Sequence, residues 1–235
     1  MARPLIAVAH RGDPYRHREN TVPSLRSALE RGADAVEVDV RLTRDGVPVL
    51  LHDRTLERLW GLDRPVASLT AAELRDLTGE RVPTLARALE ATAGRRVLVD
   101  LPGDVARRPG GPDRVLETVR LARAEERVYW SGAAATLLAV RAASPSAELA
   151  LTWTTSAPPR PALLAAVRPR WLNYRFGLLT GDLVARLHAG GYLVSAWTAD
   201  TRRSMRRLAA AGVDAVTTNR IDVLTALRDA GRHTP

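Results

Sequence analysis

Short runs of Val, Leu and Ala alternate along the chain with longer amphipathic segments. The runs have the length and composition of strands, whereas the segments between them space their apolar residues at helical intervals. Apolar strands separated by helices are typical of a parallel sheet whose outer face is covered. Eight runs are predicted to be strands: residues 5–9, 35–40, 96–101, 127–130, 148–153, 171–174, 192–197 and 214–217.

The joints between helices and strands indicate that one βα unit is used repeatedly. Gly-Ala-Asp-Ala-Val at residues 32–36 is nearly repeated as Gly-Val-Asp-Ala-Val at residues 212–216. Eight such units in 235 residues predict an α/β fold, a compact (β/α)8 TIM barrel that forms a single domain over residues 1–235. The alternative is a doubly wound open sheet, but no Gly-x-Gly-x-x-Gly turn follows any predicted strand.

Two segments depart from this regular alternation. Residues 54–82 form a short excursion after the second strand region, and a Leu-Thr-Ala-Ala-Glu-Leu stretch within it predicts a short helix. Residues 101–113 are rich in Pro, Gly and Arg, so a mobile loop is predicted there.

Composition and charge narrow the possible functions. The net charge is +9 and every one of the 35 basic residues is arginine, which favours anionic partners. Aromatic residues make up only 4% of the chain and the arginines are scattered, so solvated helix faces explain the charge better than a nucleic-acid surface does. The sequence contains neither a signal peptide nor an apolar run of about 20 residues, so we expect a cytoplasmic protein without a membrane span. Because cysteine is absent, any metal ion must have oxygen or imidazole ligands.

Polar side chains gather where several predicted strands end. Glu37 and Asp39 are two apart on the second strand, so both point to the same side, and Asp100 ends the third. At the carboxyl end of a barrel these carboxylates would repel one another unless a cation neutralised them. Oxygen ligands favour one hard divalent ion, Mg²⁺ or Ca²⁺, although a Glu-x-Asp pair taken alone is more often a solvated face.

Two histidines and an arginine flank the proposed metal ligands. His10 ends the first strand and precedes Arg11, and His52 ends a short strand that folds back after an Asp-Gly turn. A cation between two imidazoles and a guanidinium suits a phosphate diester, because the cations hold phosphoryl oxygens while the histidines move protons. Three further histidines are interpreted as ordinary polar groups: His17, His188 and His233.

The ordered motifs resemble those of the glycerophosphodiester phosphodiesterases over nearly the whole chain. "HRGDPYRHRENT" is similar to the opening of that family, "GADAVEVDVRLTRDGVPVLLHDRTLERLWG" to its second signature, and "GYLVSAWTADTRRSMRRLAAAGVDAVTTNR" to its closing segment. The resemblance implies a Mg²⁺- or Ca²⁺-dependent barrel enzyme of lipid and glycerol metabolism. Such an enzyme releases glycerol 3-phosphate and an alcohol from small glycerophosphodiesters. By position, His10 and His52 resemble the general base and acid, Arg11 the phosphate ligand, and Glu37 and Asp39 the metal ligands.

The chain departs from the family pattern on the third strand. Where the family commonly has Glu-Ile-Lys, this sequence has Asp100, Leu and Pro102, so the phosphate-binding lysine is missing. We expect Arg175, at the end of the sixth strand, to substitute for it as a substrate ligand. Trp197, at the end of the seventh, is expected to form an apolar wall of the substrate pocket.

Three alternatives to this activity remain open. Aspartate at position 100 resembles the sphingomyelinase D-like phospholipases, which would give a lysophospholipase D activity. A catalytically weakened barrel that only binds phosphodiesters or lipid headgroups is the second alternative, and an arginine-rich nucleic-acid binder is ranked last. The sequence leaves open the alcohol released, the choice of metal and the oligomeric state.

Overall fold

The backbone forms eleven strands within residues 4–232, which are the residues that the computed structural model describes. The strands are β1 (Ile6–His10), β2 (Ala35–Leu42), β3 (Pro48–Leu50), β4 (Thr55–Leu56), β5 (Leu62–Pro65), β6 (Arg96–Asp100), β7 (Val128–Gly132), β8 (Leu149–Trp153), β9 (Trp171–Arg175), β10 (Leu193–Trp197) and β11 (Ala215–Thr218).

Eight of the described strands close into a parallel barrel. β1 pairs with β2 on one side and with β11 on the other, and each remaining barrel strand pairs in parallel with the next. Every barrel strand overlaps one of the eight predicted runs, so the TIM barrel is confirmed and the open sheet is wrong. β3 runs antiparallel to β2, because the predicted Asp-Gly turn at residues 45–46 reverses the chain.

Helices cover the outside of the barrel. They are α1 (Val22–Glu30), α2 (Glu57–Trp60), α3 (Ala71–Thr78), α4 (Leu85–Ala91), α5 (Gly103–Arg107), α6 (Gly111–Leu121), α7 (Ala134–Ala143), α8 (Pro161–Val167), α9 (Gly181–Ala189), α10 (Arg202–Ala210) and α11 (Ile221–Arg232). Threonine N-caps begin several of them, as Thr21 does when its hydroxyl accepts a hydrogen bond from Ser24. In the described residues, no helix combines the length and apolar character needed to cross a membrane.

The segment predicted to be a mobile loop is largely helical. Residues 103–107 form α5, and α6 begins at Gly111, with Pro112 in its first turn. The prediction was wrong because proline in the first turn of a helix has the required backbone angle and lacks only an N–H that would be unpaired anyway. The excursion at residues 54–82 is confirmed. It holds β4, α2, β5 and α3 around a small apolar cluster of its own.

The inward face of the barrel changes from apolar to polar along its strands. A buried apolar layer comes first: Val8, Ala35, Leu98, Tyr129, Ala150, Trp171 and Ala215. Because side chains alternate across a strand, the residue two positions later points to the same side. Those residues form a polar layer: His10, Glu37, Asp100, Ser131, Thr152, Asn173 and Thr217. One end of the barrel is therefore closed by packing, and the carboxyl end holds the polar groups.

Candidate active site

The candidate site is a cavity of about 160 Å³ at the carboxyl end of the barrel. Seven of the eight residues predicted from the sequence line it: His10, Arg11, Glu37, Asp39, His52, Asp100 and Trp197. The eighth, Arg175, ends β9 with an exposed side chain and does not line this cavity. Its role as a substrate ligand stays a prediction.

A tight turn after β1 places Arg11 over the cavity. Arg11 has a φ of 59° and Gly12 a φ of 91°, so the chain reverses within two residues. A Cβ atom on Gly12 would lie 2.6 Å from the carbonyl carbon of Ser24, so this position accepts only glycine. The turn lets the Arg11 amide donate to Glu37 Oε2 at 3.0 Å, while the Arg11 guanidinium Nε lies 3.0 Å from Asp39 Oδ2.

The three carboxylates lie at the polar end of β2 and β6, where Glu37 and Asp39 are buried and Asp100 is half-buried. Asp39 is paired across the two strands with Asp100, and Glu37 lies one step deeper. Asp39 accepts a hydrogen bond from Asn20 Nδ2 at 2.8 Å, and Asp100 accepts one from Ser131 Oγ at 2.8 Å. Each acid is therefore fixed in direction by a neighbouring polar group.

Burial and repulsion between neighbouring carboxylates raise the pKa values of Glu37 and Asp100. Burial, reinforced by the charges of Asp39 and Asp100, raises the pKa of Glu37 well above its ordinary value. Burial and the charge of Asp39 raise the pKa of Asp100 to about 6, although Ser131 opposes the change. The Arg11 guanidinium offsets part of this repulsion. The site thus has more buried negative charge than its own cations neutralise.

The donor set suits a hard divalent cation. Within residues 4–232, no group of three or more acidic and histidine side chains is placed closely enough to hold a metal ion as it stands. Three carboxylates nevertheless line one cavity, and the raised pKa values of Glu37 and Asp100 show that positive charge is needed there. Oxygen-only ligation is the preference of Mg²⁺ and Ca²⁺, so the residues fit such an ion in chemical character.

The two histidines are held through their Nδ1 atoms. His10 Nδ1 lies 2.8 Å from Oδ1 of Asn219, whose amide nitrogen donates to Asp200. Asn219 Oδ1 must accept, so His10 Nδ1 carries the proton and Nε2, 4.0 Å from Glu37 Oε2, is the basic nitrogen. Burial, together with the charge of Arg11, lowers the pKa of His10 and keeps the ring neutral.

His52 is the more exposed of the pair. Its Nδ1 lies 2.7 Å from Asp53 Oδ1, and the Arg41 guanidinium binds its main-chain carbonyl. Arg41 Nη1 also donates to both carboxylate oxygens of Asp104 in α5. The loop after β3 and the start of α5 are therefore tied together at the rim of the cavity.

Comparison with known proteins identifies the family. Residues 10–223 match the model of the glycerophosphoryl diester phosphodiesterase family. The chain belongs to this family. It is thus related to the phosphoric diester hydrolases, as its motifs indicated.

Individual relatives agree with the family match over nearly the full length. A glycerophosphodiester phosphodiesterase of Caldanaerobacter subterraneus is 28% identical over 91% of this chain and 93% of its own length. An Oleispira antarctica phosphodiesterase, solved in complex with the product sn-glycerol-3-phosphate, has a TM-score of 0.84 and 25% identity, with 96% of this chain and 97% of that chain covered. The Thermotoga maritima glycerophosphodiester phosphodiesterase has a TM-score of 0.80 over 95% of this chain and 98% of its own, at 21% identity, which supports the fold alone.

Several polar residues of the candidate site are not among those predicted from the sequence. Asn219 is one of them, and its side chain binds His10. Asn173, whose Oδ1 accepts from Ser195 Oγ at 2.8 Å, lies in the cavity wall together with Thr152. A signal was present for Asn173 and Thr152, because each stands two positions after an apolar inward residue on its strand.

Proposed function

We propose that the protein hydrolyses glycerophosphodiesters to glycerol 3-phosphate and an alcohol with the help of one divalent ion, Mg²⁺ or Ca²⁺. The ion would be held by Glu37, Asp39 and Asp100. Bound there, it would supply positive charge for the phosphoryl oxygens and lower the cost of ionising the three acids. The single observation that carries the proposal is that two histidines, one arginine and three carboxylates line the same small cavity.

The chain's own residues divide the proton transfers between them. His10 Nε2 is the unprotonated nitrogen, so it accepts the proton of the attacking glycerol hydroxyl. As the hydroxyl oxygen bonds to phosphorus, the alcohol leaves and takes a proton from His52. Water then opens the cyclic phosphate, and each histidine reverses its role. Arg11 stabilises the charge on the phosphoryl oxygens throughout.

Trp197 shapes the pocket beside the reacting atoms. Its indole Nε1 donates to the carbonyl oxygen of Asn173 at 3.2 Å, which fixes the ring at the end of β10. The ring face provides an apolar wall against which carbon atoms of the glycerol or the alcohol can pack.

Two specific observations keep weaker alternatives in view. The absence of a lysine at Pro102 removes one cation from the third strand, which favours a barrel that binds phosphodiesters with slow turnover. The aspartate at position 100 favours a lysophospholipase D-like or sphingomyelinase D-like activity. The same assay separates all three, because it can be run with glycerophosphocholine and with lysophosphatidylcholine.

Purified protein, treated with chelator and reloaded with Mg²⁺ or Ca²⁺, should release glycerol 3-phosphate from glycerophosphocholine. His10→Ala and Glu37→Gln should each abolish release. His17→Ala is the matched control, because this exposed histidine lies outside the cavity and its loss should change nothing. Tight glycerophosphocholine binding without product would support the weakened barrel, and turnover of the lysophospholipid alone would support the phospholipase reading. Turnover that survives His10→Ala would refute the mechanism.

A further inference from the structure

Arg58 joins two acidic side chains at the rim of the candidate site. It lies in α2, the short helix of the excursion. Its Nε donates to Asp53 Oδ2 at 2.5 Å, and its Nη2 donates to Glu19 Oε1 at 2.6 Å. A guanidinium can serve both carboxylates at once because its donors form a rigid planar fork.

Each of these carboxylates also contacts a residue of the proposed catalytic machinery. Asp53 Oδ1 lies 2.7 Å from His52 Nδ1, so the two oxygens of Asp53 serve His52 and Arg58 separately. Glu19 Oε1 accepts from Arg11 Nη1 at 3.0 Å. A continuous polar chain therefore runs from His52 through Arg58 to Arg11.

We propose that Arg58 is a positioning residue that holds His52 in the orientation needed to protonate the leaving alcohol. The proposal rests on the function proposed above, in which His52 is the general acid. Asp53 follows His52 directly in the chain and can rotate about its own side-chain bonds. With Oδ2 fixed by Arg58, Oδ1 stays on Nδ1 and leaves Nε2 of His52 free to donate into the cavity.

The surrounding excursion fixes the position of Arg58. Trp60, one half-turn further along α2, lies between two guanidiniums, with Arg18 at 4.2 Å and Arg81 at 4.9 Å from the ring centroid. Leu56, just before the helix, is fully buried in the apolar cluster of the excursion. The helix is thus attached through Leu56 and Trp60, while Arg58 reaches Asp53 and Glu19. Through Arg58, the excursion would therefore contribute to the orientation of His52.

The hydrogen bonds of Arg58 should matter for rate more than for folding. Its side chain is 46% exposed and that of Asp53 is 25% exposed, and ion pairs in such positions contribute little to stability. Burial raises the pKa of Asp53, but the hydrogen bonds from Arg58 and His52 outweigh that effect and keep the carboxylate ionised. An ionised Asp53 stabilises the protonated ring that a general acid requires.

Two substrates distinguish a positioning role from a structural one. Glycerophosphocholine releases an alcohol that needs a proton, whereas the matching glycerophosphodiester of p-nitrophenol releases a stable anion that does not. Arg58→Met should lower kcat on glycerophosphocholine about 10- to 100-fold, the usual loss for an outer hydrogen-bond partner of a functional histidine or metal ligand. On the p-nitrophenyl substrate the single-turnover rate of p-nitrophenol release should fall less than about threefold, because this release precedes the ring-opening step in which His52 acts as the base. The KM for glycerophosphocholine should hold.

A double-mutant cycle tests the route through Asp53. Asp53→Asn should reproduce the selective loss, and Asp53→Asn combined with Arg58→Met should be no worse than either alone, because both break one path. Arg64→Met is the matched control, since this exposed arginine lies on β5 of the same excursion and does not line the cavity. The melting temperature of every variant should match that of the unaltered protein.

Equal losses of Arg58→Met on both substrates, no loss on either, or losses that multiply in the double variant would overturn the inference. His52→Ala, measured alongside, keeps that failure separate from failure of the proposed function. If His52→Ala turns over glycerophosphocholine normally, His52 is not the acid and the proposed mechanism itself is wrong. If His52→Ala is inactive on glycerophosphocholine while Arg58→Met behaves like Arg64→Met, the inference about Arg58 alone is wrong.

Discussion

Replacing Asp100 by asparagine should stabilise the metal-free protein while abolishing its activity. Burial and repulsion by Asp39 raise the pKa of Asp100 from its ordinary 3.8 to about 6. One pKa unit corresponds to about 1.4 kcal/mol, so keeping this acid ionised in the folded state costs about 3 kcal/mol. Asparagine has no charge to bury, and its Oδ1 can still accept the hydrogen bond from Ser131.

The pH dependence of this gain follows from the direction of the pKa change. Because the folded-state pKa of Asp100 is raised, its contribution to stability is complete below about pH 4 and is lost as the pH rises through about 6. Asp100→Asn avoids that loss. We therefore expect a gain in the free energy of unfolding of about 3 kcal/mol at pH 8 and of only about 1 kcal/mol at pH 4.5.

Urea denaturation in the presence of a chelator measures both values. Asp76→Asn, at an exposed position on α3, is the control and should change stability by less than about 0.5 kcal/mol at either pH. Added Mg²⁺ or Ca²⁺ should stabilise the original protein, because the ion binds only the folded state, and should stabilise Asp100→Asn much less. A variant that is less stable than the original at pH 8, or equally stabilised at both pH values, would refute the account of the buried acids.

Further substitutions test other parts of the site. Gly12→Ala should lower the free energy of unfolding by about 3 kcal/mol or more in urea denaturation, because a left-handed φ combines with a collision against Ser24. Pro102→Lys should raise kcat/KM for glycerophosphocholine by up to about 100-fold if it restores a cation beside the phosphate, and an unchanged value would show that no cation is missing. Trp197→Ala should raise KM about tenfold with a smaller change in kcat, whereas Trp197→Phe should keep most of the binding, as steady-state kinetics would show.

The barrel was predictable because its strands are short, apolar and regularly spaced. A strand covered on both faces leaves a continuous apolar run in the sequence, as at residues 5–9, and such runs mark the strands without any long-range information. Reasoning from local composition gave a wrong prediction for residues 101–113. Its Gly and Pro residues suggested a loop, but Pro112 lies in the first turn of α6, where proline is favoured.

The proposed site was predictable only where a single residue is unusual for its position in the sequence. Charged residues at apolar strand ends, such as Glu37 and Asp39, conflict with their surroundings and so attract notice. Asn219 does not, because an asparagine before a helix has an ordinary explanation as a cap. Its contact with His10 joins residues 209 positions apart, and only closure of the barrel between β1 and β11 brings them together. The hydrogen bonds that link Arg58 to Asp53 and Glu19 could not be predicted for the same reason.

The two inward layers of the barrel impose opposite demands on the same strands. Leu98 packs in the apolar layer and stabilises the fold, whereas Asp100, two residues later, carries a charge that opposes folding until a cation neutralises it. A parallel barrel can combine both because all its strands run in the same direction. The apolar layer then lies nearer their amino ends, and the polar layer lies at their carboxyl ends. Packing of the apolar layer offsets the unfavourable free energy of the charges at the carboxyl end. For this reason Leu98→Ala should destabilise the metal-free protein, whereas Asp100→Asn should stabilise it.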